Sequence, residues 1–371
     1  MKYAIIAVVL ALAAGRAEAY PQFQLSRDQT CSGCHISPAG GELLNENGTN
    51  TSEAISQFGT SGEFMYGKIP LPDWLTFGGD LRGAAGYLQT PERYLEGFPM
   101  QVDLYAMAHF GHFRLTATIG MYPTRYTDNI NSGADGVWSR EHYITYEQNP
   151  GSPEGLFVRV GRFMPVFGLR FAEHTDYTRR YGGTPLYGET YGAAIEYIKN
   201  KYEVHLTGFI KDPLIDPVVH DNGVAAYAEY RIDDQTSVGA EGMFTKSLDD
   251  EKFRGGLTAK RYFKGPDILV EGEAQVVNQR MAVGNGAPVG VVAYVLGSWF
   301  ATNAILLDVG AGYYDEDVRV KDLDRECFDI NLHWFTTSHF EAVLNTRVEF
   351  FTLGQGGPTG AYALLQGHYR L

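Results

Sequence analysis

The chain has 371 residues, a formal net charge of −14, 13% aromatic residues and only three cysteines. The acidic charge argues against nucleic-acid binding, because proteins that bind nucleic acids normally carry a basic surface. Three cysteines are too few for an exported protein held together by disulfides, so we expect its stability to come from another source.

The first residues have the pattern of a secretory signal peptide. A basic Lys2 precedes an apolar run from Ala4 to Ala14, and Ala17-Glu18-Ala19 matches the small-residue cleavage signature. The run is shorter than the ~20 apolar residues that a membrane-spanning helix needs. We therefore expect residues 1–19 to be removed and the exported protein to begin at Tyr20.

A short motif near the N-terminus indicates a covalently bound haem. The stretch TCSGCHISPAGG, from Thr30 to Gly41, contains Cys-x-x-Cys-His, the attachment motif of a c-type haem. Two thiols on one turn reach the two vinyl groups of the porphyrin, and the following histidine binds the iron. The sequence thus predicts one haem c in a binding segment over residues 20–73, with Cys31 and Cys34 as thioether positions and His35 as the proximal iron ligand.

A redox disulfide and half of a zinc site are the alternatives for this motif. Zinc would require a second pair of ligands, and the remaining cysteine, Cys327, lies far along the chain. The export signal and the histidine next to Cys34 favour haem.

The sequence leaves three candidates for the sixth position of the iron. Met65 is the only strong ligand type between Ile36 and Trp74, and a methionine ligand would raise the reduction potential. The second candidate is a histidine at the periplasmic rim of the barrel predicted below, and the third is an open or water-ligated site. The rim histidines are His109, His112 and His368.

From Trp74 to Leu371 the sequence alternates between apolar and polar residues, which predicts β-strands. The segments are about ten residues long, the length that a tilted strand needs to cross a bilayer. We count sixteen segments, so residues 74–371 are expected to form an all-β, transmembrane antiparallel barrel of about 16 strands. The alternative is a soluble β-sandwich, which would need an apolar inner layer. Here the second face of the strands carries Arg, Glu, His and Thr.

The links between the predicted strands have two lengths. Links after even-numbered strands are mostly tight, as at Gly111 and Asn200, and links after odd-numbered strands are longer and polar. This asymmetry is typical of outer-membrane barrels, and an even strand number puts both barrel ends on the short-turn, periplasmic side. We expect the haem segment on that side. The predicted long loops are Pro91–Gly97, Pro123–Gly136, Phe167–Glu189, Asp212–Asn222 and Glu316–Asp324.

The longest predicted loop, Phe167–Glu189, is rich in charged residues. Sixteen-stranded porins enclose an aqueous channel, and their third long loop often folds inward. We expect Arg170, Glu173, Arg179 and Arg180 to form a constriction, although an ordinary solvated surface loop is the alternative. Further positive charge on one wall of the lumen, which would attract anions, is expected from Arg82, Arg114 and Arg159.

Two stretches carry a resemblance to known proteins. The stretch CSGCHISPAGGELLNENG resembles the N-terminal haem segment of a family of Gram-negative outer-membrane barrels, in which CxxCH precedes S-P-x-G-G and a leucine pair. Residues 160–182 are similar to the same family, and their GRFMPVFGL part to phosphate-selective-type porins. The resemblance implies a haem-bearing porin akin to porin–cytochrome electron conduits, without the multihaem array of the conduit cytochromes, and implies little about substrate.

We expect a porin-like protein in contact with outer-membrane lipid that transfers electrons at or across that membrane. One haem is much smaller than the ~30 Å hydrocarbon core, so a periplasmic or extracellular redox partner, for example a multihaem cytochrome, must complete the path. The alternative is a solute-diffusion porin with a structural or sensory haem, and a peroxidase-like or gas-binding haem protein is a third reading. We expect no enzyme activity and no nucleic-acid partner. A homotrimer is one option, since trimers are common among sixteen-stranded porins.

Overall fold

The structure is a computed structural model that describes residues 21–27, 29–90, 92–121, 137–185, 188–211, 222–248, 250–281, 286–354 and 356–371. Within these residues, sixteen antiparallel strands form one closed barrel in which each strand pairs with its neighbours in sequence and the last strand pairs with the first. The predicted all-β barrel of sixteen strands is therefore confirmed. The predicted loop Pro123–Gly136 and most of Asp212–Asn222 lie outside the described residues.

Among the described residues that precede the barrel, three short helices occur: α1 (Gln22–Ser26), α2 (Cys31–Cys34) and α3 (Glu46–Ile55). A 3₁₀ turn, Phe64–Gly67, follows them. Among the described residues, no helix has the length and apolar character to cross a membrane. The strands are β1 Leu75–Thr90, β2 Glu92–Phe110, β3 Phe113–Met121, β4 Val137–Glu147, β5 Gly155–Phe163, β6 Thr190–Lys199, β7 Tyr202–Ile210, β8 Asn222–Asp233, β9 Thr236–Lys246, β10 Asp250–Phe263, β11 Ile268–Met281, β12 Val289–Thr302, β13 Ile305–Asp315, β14 Asp324–Thr337, β15 Phe340–Phe351 and β16 Gly360–Arg370.

The two faces of each strand differ in polarity. In β7, Glu203, His205 and Thr207 are buried in the lumen, whereas Val204 and Leu206 are exposed on the outside. Large aromatic side chains lie on the outer surface near the short-turn ends of the strands. An apolar exterior with aromatic residues at the strand ends and a polar interior is the arrangement of a membrane-spanning barrel. These aromatic residues are Trp74, Phe110, Tyr146, Tyr202, Tyr230, Trp299 and Trp334.

The prediction that Pro91–Gly97 forms a long loop is wrong. The first two strands stay paired up to Thr90 and Glu92, so β1 and β2 form one long hairpin. Tyr87 lies opposite Leu95 and Leu88 opposite Tyr94 in this ladder. Cross-strand pairs of aromatic and aliphatic residues stabilise antiparallel strands, and here they extend the sheet through a stretch whose charges suggested a loop.

The N-terminal segment lies inside the short-turn end of the barrel. We call residues 21–27 and 29–62 the plug. Leu25 and Ile55 of the plug form one buried apolar cluster with side chains of β10–β14. The remaining members of this cluster are Tyr262, Leu269, Phe300, Leu306 and Phe335.

Polar contacts join the plug to strands around the barrel wall. Gln22 donates to Asp308 of β13 at 3.3 Å, and Lys260 of β10 donates to Gln24. Arg231 of β8 donates to the carbonyl of Gln29, and Arg114 of β3 donates to the carbonyl of Ile36. Because β3, β8, β10 and β13 are spread around the barrel, the plug crosses the lumen instead of lying along one side.

The orientation of the strands predicts how a charge is tolerated on the outer face. Leu206 is at the centre of β7 with 49% of its surface exposed, so Leu206→Arg is expected to lower the free energy of unfolding by about 2–4 kcal/mol. Ile232, at the short-turn end of β8, is the matched control, and Ile232→Arg is expected to cost about 0–1 kcal/mol. Equilibrium unfolding in lipid vesicles measures both values. Equal costs would contradict the assigned membrane depth.

Candidate cofactor site between the plug and the barrel

The two cysteines of the CxxCH motif lie on one helical turn. The side chain of Thr30 accepts a hydrogen bond from the backbone N–H of Gly33 at 3.1 Å and so caps α2. Residues three apart lie on the same side of a helix, which places the two sulfur atoms on one side of the turn. Both are free thiols, Cys31 buried and Cys34 partly exposed.

The residues after His35 form a tight loop that fixes the histidine. The N–H of Ile36 donates to the carbonyl of Leu43, and the N–H of Asn45 donates to the carbonyl of Cys34, each at 3.0 Å. Gly40 and Gly41 have φ angles of 85° and 80°, in the left-handed region that glycine adopts without steric cost. The S-P-x-G-G pattern of the sequence therefore closes this loop.

Two asparagines fasten α3 to the cysteine turn. Asn45 caps α3 by accepting from the N–H of Gly48 at 2.9 Å, and its amide group donates to the carbonyl of Ser32 at 3.0 Å. The amide group of Asn47 donates to the carbonyl of Gly33 at 2.9 Å. A Cβ atom at Gly48 would collide with the carbonyl oxygen of Cys34, so the close approach of α3 requires glycine.

A cavity that is partly open to solvent adjoins Cys31, Cys34 and His35. The plug forms one side of the cavity. Strands β14–β16 and the turn between β14 and β15 form the other side. Its apolar lining consists of Phe23, Leu44, Ile55, Phe335 and Phe340, and its barrel side adds Ser338, His339, Glu341, His368 and Arg370.

Burial determines the protonation of the three motif residues. It raises the pKa of Cys31 to about 11 and also raises the pKa of Cys34. Burial, assisted by the charge of Arg370, lowers the pKa of His35 to about 4, against a smaller opposing effect of the Gly41 backbone. At neutral pH the imidazole of His35 is therefore uncharged and retains an electron pair for a metal ion.

These groups suit a haem c. The thiols and the imidazole border a common cavity with an apolar lining, and a haem iron needs only one or two protein ligands because the porphyrin supplies four. Within the described residues, no cluster of three or more His, Cys, Asp or Glu side chains is arranged to hold a metal ion without a porphyrin.

The candidates for the sixth ligand lie in different places. Met65 is 36% exposed in the 3₁₀ turn and does not line the cavity. His109 lies beside Glu147 at 3.8 Å and His112 contacts the carbonyl of Glu147 at 2.8 Å, and neither lines the cavity. His368 does line it.

A further histidine on the cavity wall, His339, was not singled out by the sequence reasoning. It directly follows the tight turn Thr337-Ser338 on the predicted periplasmic rim. Its place beside this predicted turn is the sequence feature that could have made His339 a ligand candidate.

Residues 164–185, a described part of the link between β5 and β6, lie inside the lumen. Phe167 and Leu169 are fully buried, and the N–H of Leu169 donates to Glu273 of β11 at 2.7 Å. Arg347 of β15 donates to Asp176 at 3.0 Å. The loop thus reaches strands far from β5 and β6, and its role as a constriction stays a prediction.

The charged residues predicted for this constriction have separate partners. Arg170 donates to the carbonyl of Ala39 in the plug at 2.9 Å and forms an ion pair with Glu203, so it joins the loop to the plug. Arg179 donates to the carbonyl of Phe171 within the loop at 2.7 Å. The partly exposed Arg180 pairs with Glu349 at 3.0 Å, and Glu173 accepts from Asn345 at 3.3 Å.

Two of the arginines expected to give one wall positive charge pair with carboxylates. Arg159 donates twice to Glu196, at 3.0 and 2.8 Å, and Arg114 pairs with Glu147. Arg82 is also buried. The pairs formed by Arg114 and Arg159 neutralise much of the positive charge expected on this wall.

Comparison with solved structures identifies the type of barrel. OmpT of Vibrio cholerae, also solved in a trimer form, matches with a TM-score of 0.62 at 10% identity over 82% of this chain and 100% of its own. An anion-selective porin from Comamonas acidovorans matches with a TM-score of 0.59 at 10% identity, over 80% and 99% of the two chains. The fold is that of outer-membrane porins.

A third structure, the outer-membrane channel DcaP of Acinetobacter baumannii, matches with a TM-score of 0.55 at 12% identity, over 80% and 97% of the two chains. At such identities the likeness concerns the fold alone. No family model and no curated protein sequence matches the chain.

The close contact between α3 and the cysteine turn predicts the effect of one methyl group. Gly48→Ala is expected to weaken the plug by about 1–3 kcal/mol, because the added carbon overlaps the Cys34 carbonyl. Hydrogen exchange of the α2 and α3 amides measures this change. Gly242→Ala is the control, since its Cβ meets open space, and it should leave exchange unchanged. Unchanged protection in the Gly48 variant would contradict the packing described.

The raised pKa values predict the reactivity of the thiols in protein made without haem attachment. At mildly alkaline pH both cysteines should react with iodoacetamide more slowly than in the urea-unfolded chain, because the thiolate is the reactive form. Cys34 should react faster than Cys31, which is only 5% exposed. Mass spectrometry of timed samples gives both rates, and faster labelling of Cys31 would contradict the placement of the turn.

Proposed function

We propose that this protein is a porin-type barrel of the outer membrane whose plug carries one haem c at the periplasmic mouth, and that it transfers electrons there. The observation that carries the proposal is the cavity between plug and barrel, bordered by the thiols of Cys31 and Cys34 and the imidazole of His35. The short turns and the plug lie at the same end of the barrel, which supports a periplasmic position of the plug.

Each residue of the site has a role in this proposal. Cys31 and Cys34 would hold the porphyrin by adding their S–H groups across its vinyl groups, and His35 would bind the iron. The bound haem would supply a one-electron redox centre. Phe23, Leu44 and the other apolar residues would pack against the porphyrin, and Asn45 and Asn47 keep the cysteine turn in place.

The partly exposed side of the cysteine turn supports electron exchange with a soluble carrier. Cys34 lies near the surface, where the amide group of exposed Asn47 contacts its sulfur at 3.6 Å. The hydrocarbon core is ~30 Å thick, so one haem at this mouth requires a second redox partner, such as a multihaem cytochrome, to connect the two sides. We propose no enzymatic activity, and a homotrimer is compatible with the trimer form of the Vibrio cholerae protein.

Diffusion of solutes through a barrel with a structural or sensory haem is the second candidate. The fold comparison favours it over electron transfer, because the similar structures include an anion-selective porin and a channel. The charged loop within the lumen supports selection of solutes. The plug argues against free passage, since it contacts strands around the lumen.

Conductance in a planar bilayer separates the two candidates. If the barrel is plugged and transfers electrons, the intact protein should conduct poorly, and a variant that lacks residues 20–62 of the mature chain should conduct strongly.

Electron exchange with a reduced c-type cytochrome is the second measurement. The double variant Cys31→Ala/Cys34→Ala is its matched control and should lose this exchange.

Two results would contradict electron transfer. One is a large conductance of the intact protein, which would favour solute diffusion. The other is equal electron exchange by the intact protein and the double cysteine variant.

A further inference from the structure

Two histidines of the barrel border the same cavity as the CxxCH motif. His339 lies in the two-residue turn between β14 and β15, and His368 lies in β16. Both are buried. With His35, they are the histidines that the described residues contribute to the cavity lining, so the plug supplies one imidazole and the barrel supplies two.

Both ring nitrogens of His368 have carboxylate partners. Its Nε2 lies 2.6 Å from a carboxylate oxygen of Asp80, and its Nδ1 lies 3.3 Å from a carboxylate oxygen of Glu341. Both nitrogens therefore face negatively charged hydrogen-bond acceptors, and donating a hydrogen bond to each of them requires two N–H groups. An imidazole with two N–H groups has no electron pair left for iron.

His339 faces two backbone carbonyl oxygens, which carry no formal charge, whereas His368 faces two carboxylates. Its Nδ1 lies 2.6 Å from the carbonyl oxygen of Arg370, and its Nε2 lies 2.8 Å from the carbonyl oxygen of Ser61. A neutral imidazole has one N–H, so one of these nitrogens presents an electron pair to an oxygen. Histidines that bind metals typically donate Nδ1–H to a backbone carbonyl and bind through Nε2. Arg370 offers that carbonyl.

The Ser61 carbonyl has another donor. The hydroxyl group of Ser338 donates to it at 2.9 Å, so Nε2 of His339 can leave this oxygen without leaving it unpaired. The ring of Tyr66 lies 4.1 Å from the ring of His339 and restricts its orientation. Neighbours on either side thus hold the imidazole in place. An iron ion could replace the Ser61 carbonyl as the partner of Nε2.

We propose that His339 supplies the sixth ligand of the haem iron, so that the iron joins the plug to the barrel. The proposal rests on the proposed function, since it requires a haem held by Cys31, Cys34 and His35. Ligation by two imidazoles closes the sixth position to small gases. It also lowers the reduction potential relative to the histidine–methionine pair that Met65 would give.

The test is the spectroscopy of the full-length holoprotein. Electron paramagnetic resonance and near-infrared magnetic circular dichroism of the ferric form distinguish two imidazole ligands from an imidazole and a thioether. We expect bis-imidazole, low-spin iron in the wild-type protein and in the control Met65→Leu. His339→Gln should lose the low-spin signal, and its ferrous form should gain binding of carbon monoxide.

A second variant shows whether a lost signal comes from the missing imidazole or from misfolding. His339→Met keeps a side chain of similar length that can bind iron, and it should give an imidazole–thioether spectrum with a raised midpoint potential. Heat-modified migration in gel electrophoresis reports whether each variant forms the barrel. His368→Gln should keep the bis-imidazole spectrum.

Two kinds of failure are distinguishable. A wild-type spectrum in both folded His339 variants, or a lost low-spin signal in Met65→Leu or His368→Gln, overturns the ligand assignment and leaves the proposed function intact. The absence of covalent haem from the wild-type protein, measured as pyridine haemochrome per polypeptide, overturns the proposed function and the ligand together.

Discussion

The structure depends on the need to pair every backbone N–H and C=O within the bilayer, because lipid offers them no hydrogen-bond partner. Strands meet this need only when the sheet has no free edge, and here β1 pairs with β16 to close it. Closure separates a lipid face from a lumen that accepts polar side chains. Because plug and loop occupy the lumen, the CxxCH motif is placed against the barrel wall, and the cavity arises between them.

The barrel could be predicted from sequence because the alternation of apolar and polar side chains is visible within each strand. The alternation of apolar and polar residues in a strand such as β7 indicates which side chains face lipid. The same alternation predicted the number of strands. The β1–β2 hairpin was missed because its extension depends on pairs such as Tyr87 with Leu95, which only the register reveals. The cysteine turn was also readable, since its residues lie within one short motif.

The rest of the site depends on contacts between distant parts of the chain. His339 reaches the cavity only because β15 and β16 carry the wall past the plug, and no sequence pattern near His35 indicates it. Met65 was one candidate because it is close to His35 in sequence, yet it lies in an exposed turn. The expected positive wall was inferred from arginines alone, whereas ion pairs such as Arg159–Glu196 form across neighbouring strands.

The proposed electron transfer requires a covalent haem on the two thiols beside the cavity. The intact mass of the mature protein, produced together with the cytochrome c maturation machinery, tests this requirement. We expect the polypeptide mass plus one haem, with the added mass on the peptide that contains Cys31 and Cys34. A mass equal to that of the polypeptide alone, with both thiols still free, would contradict it.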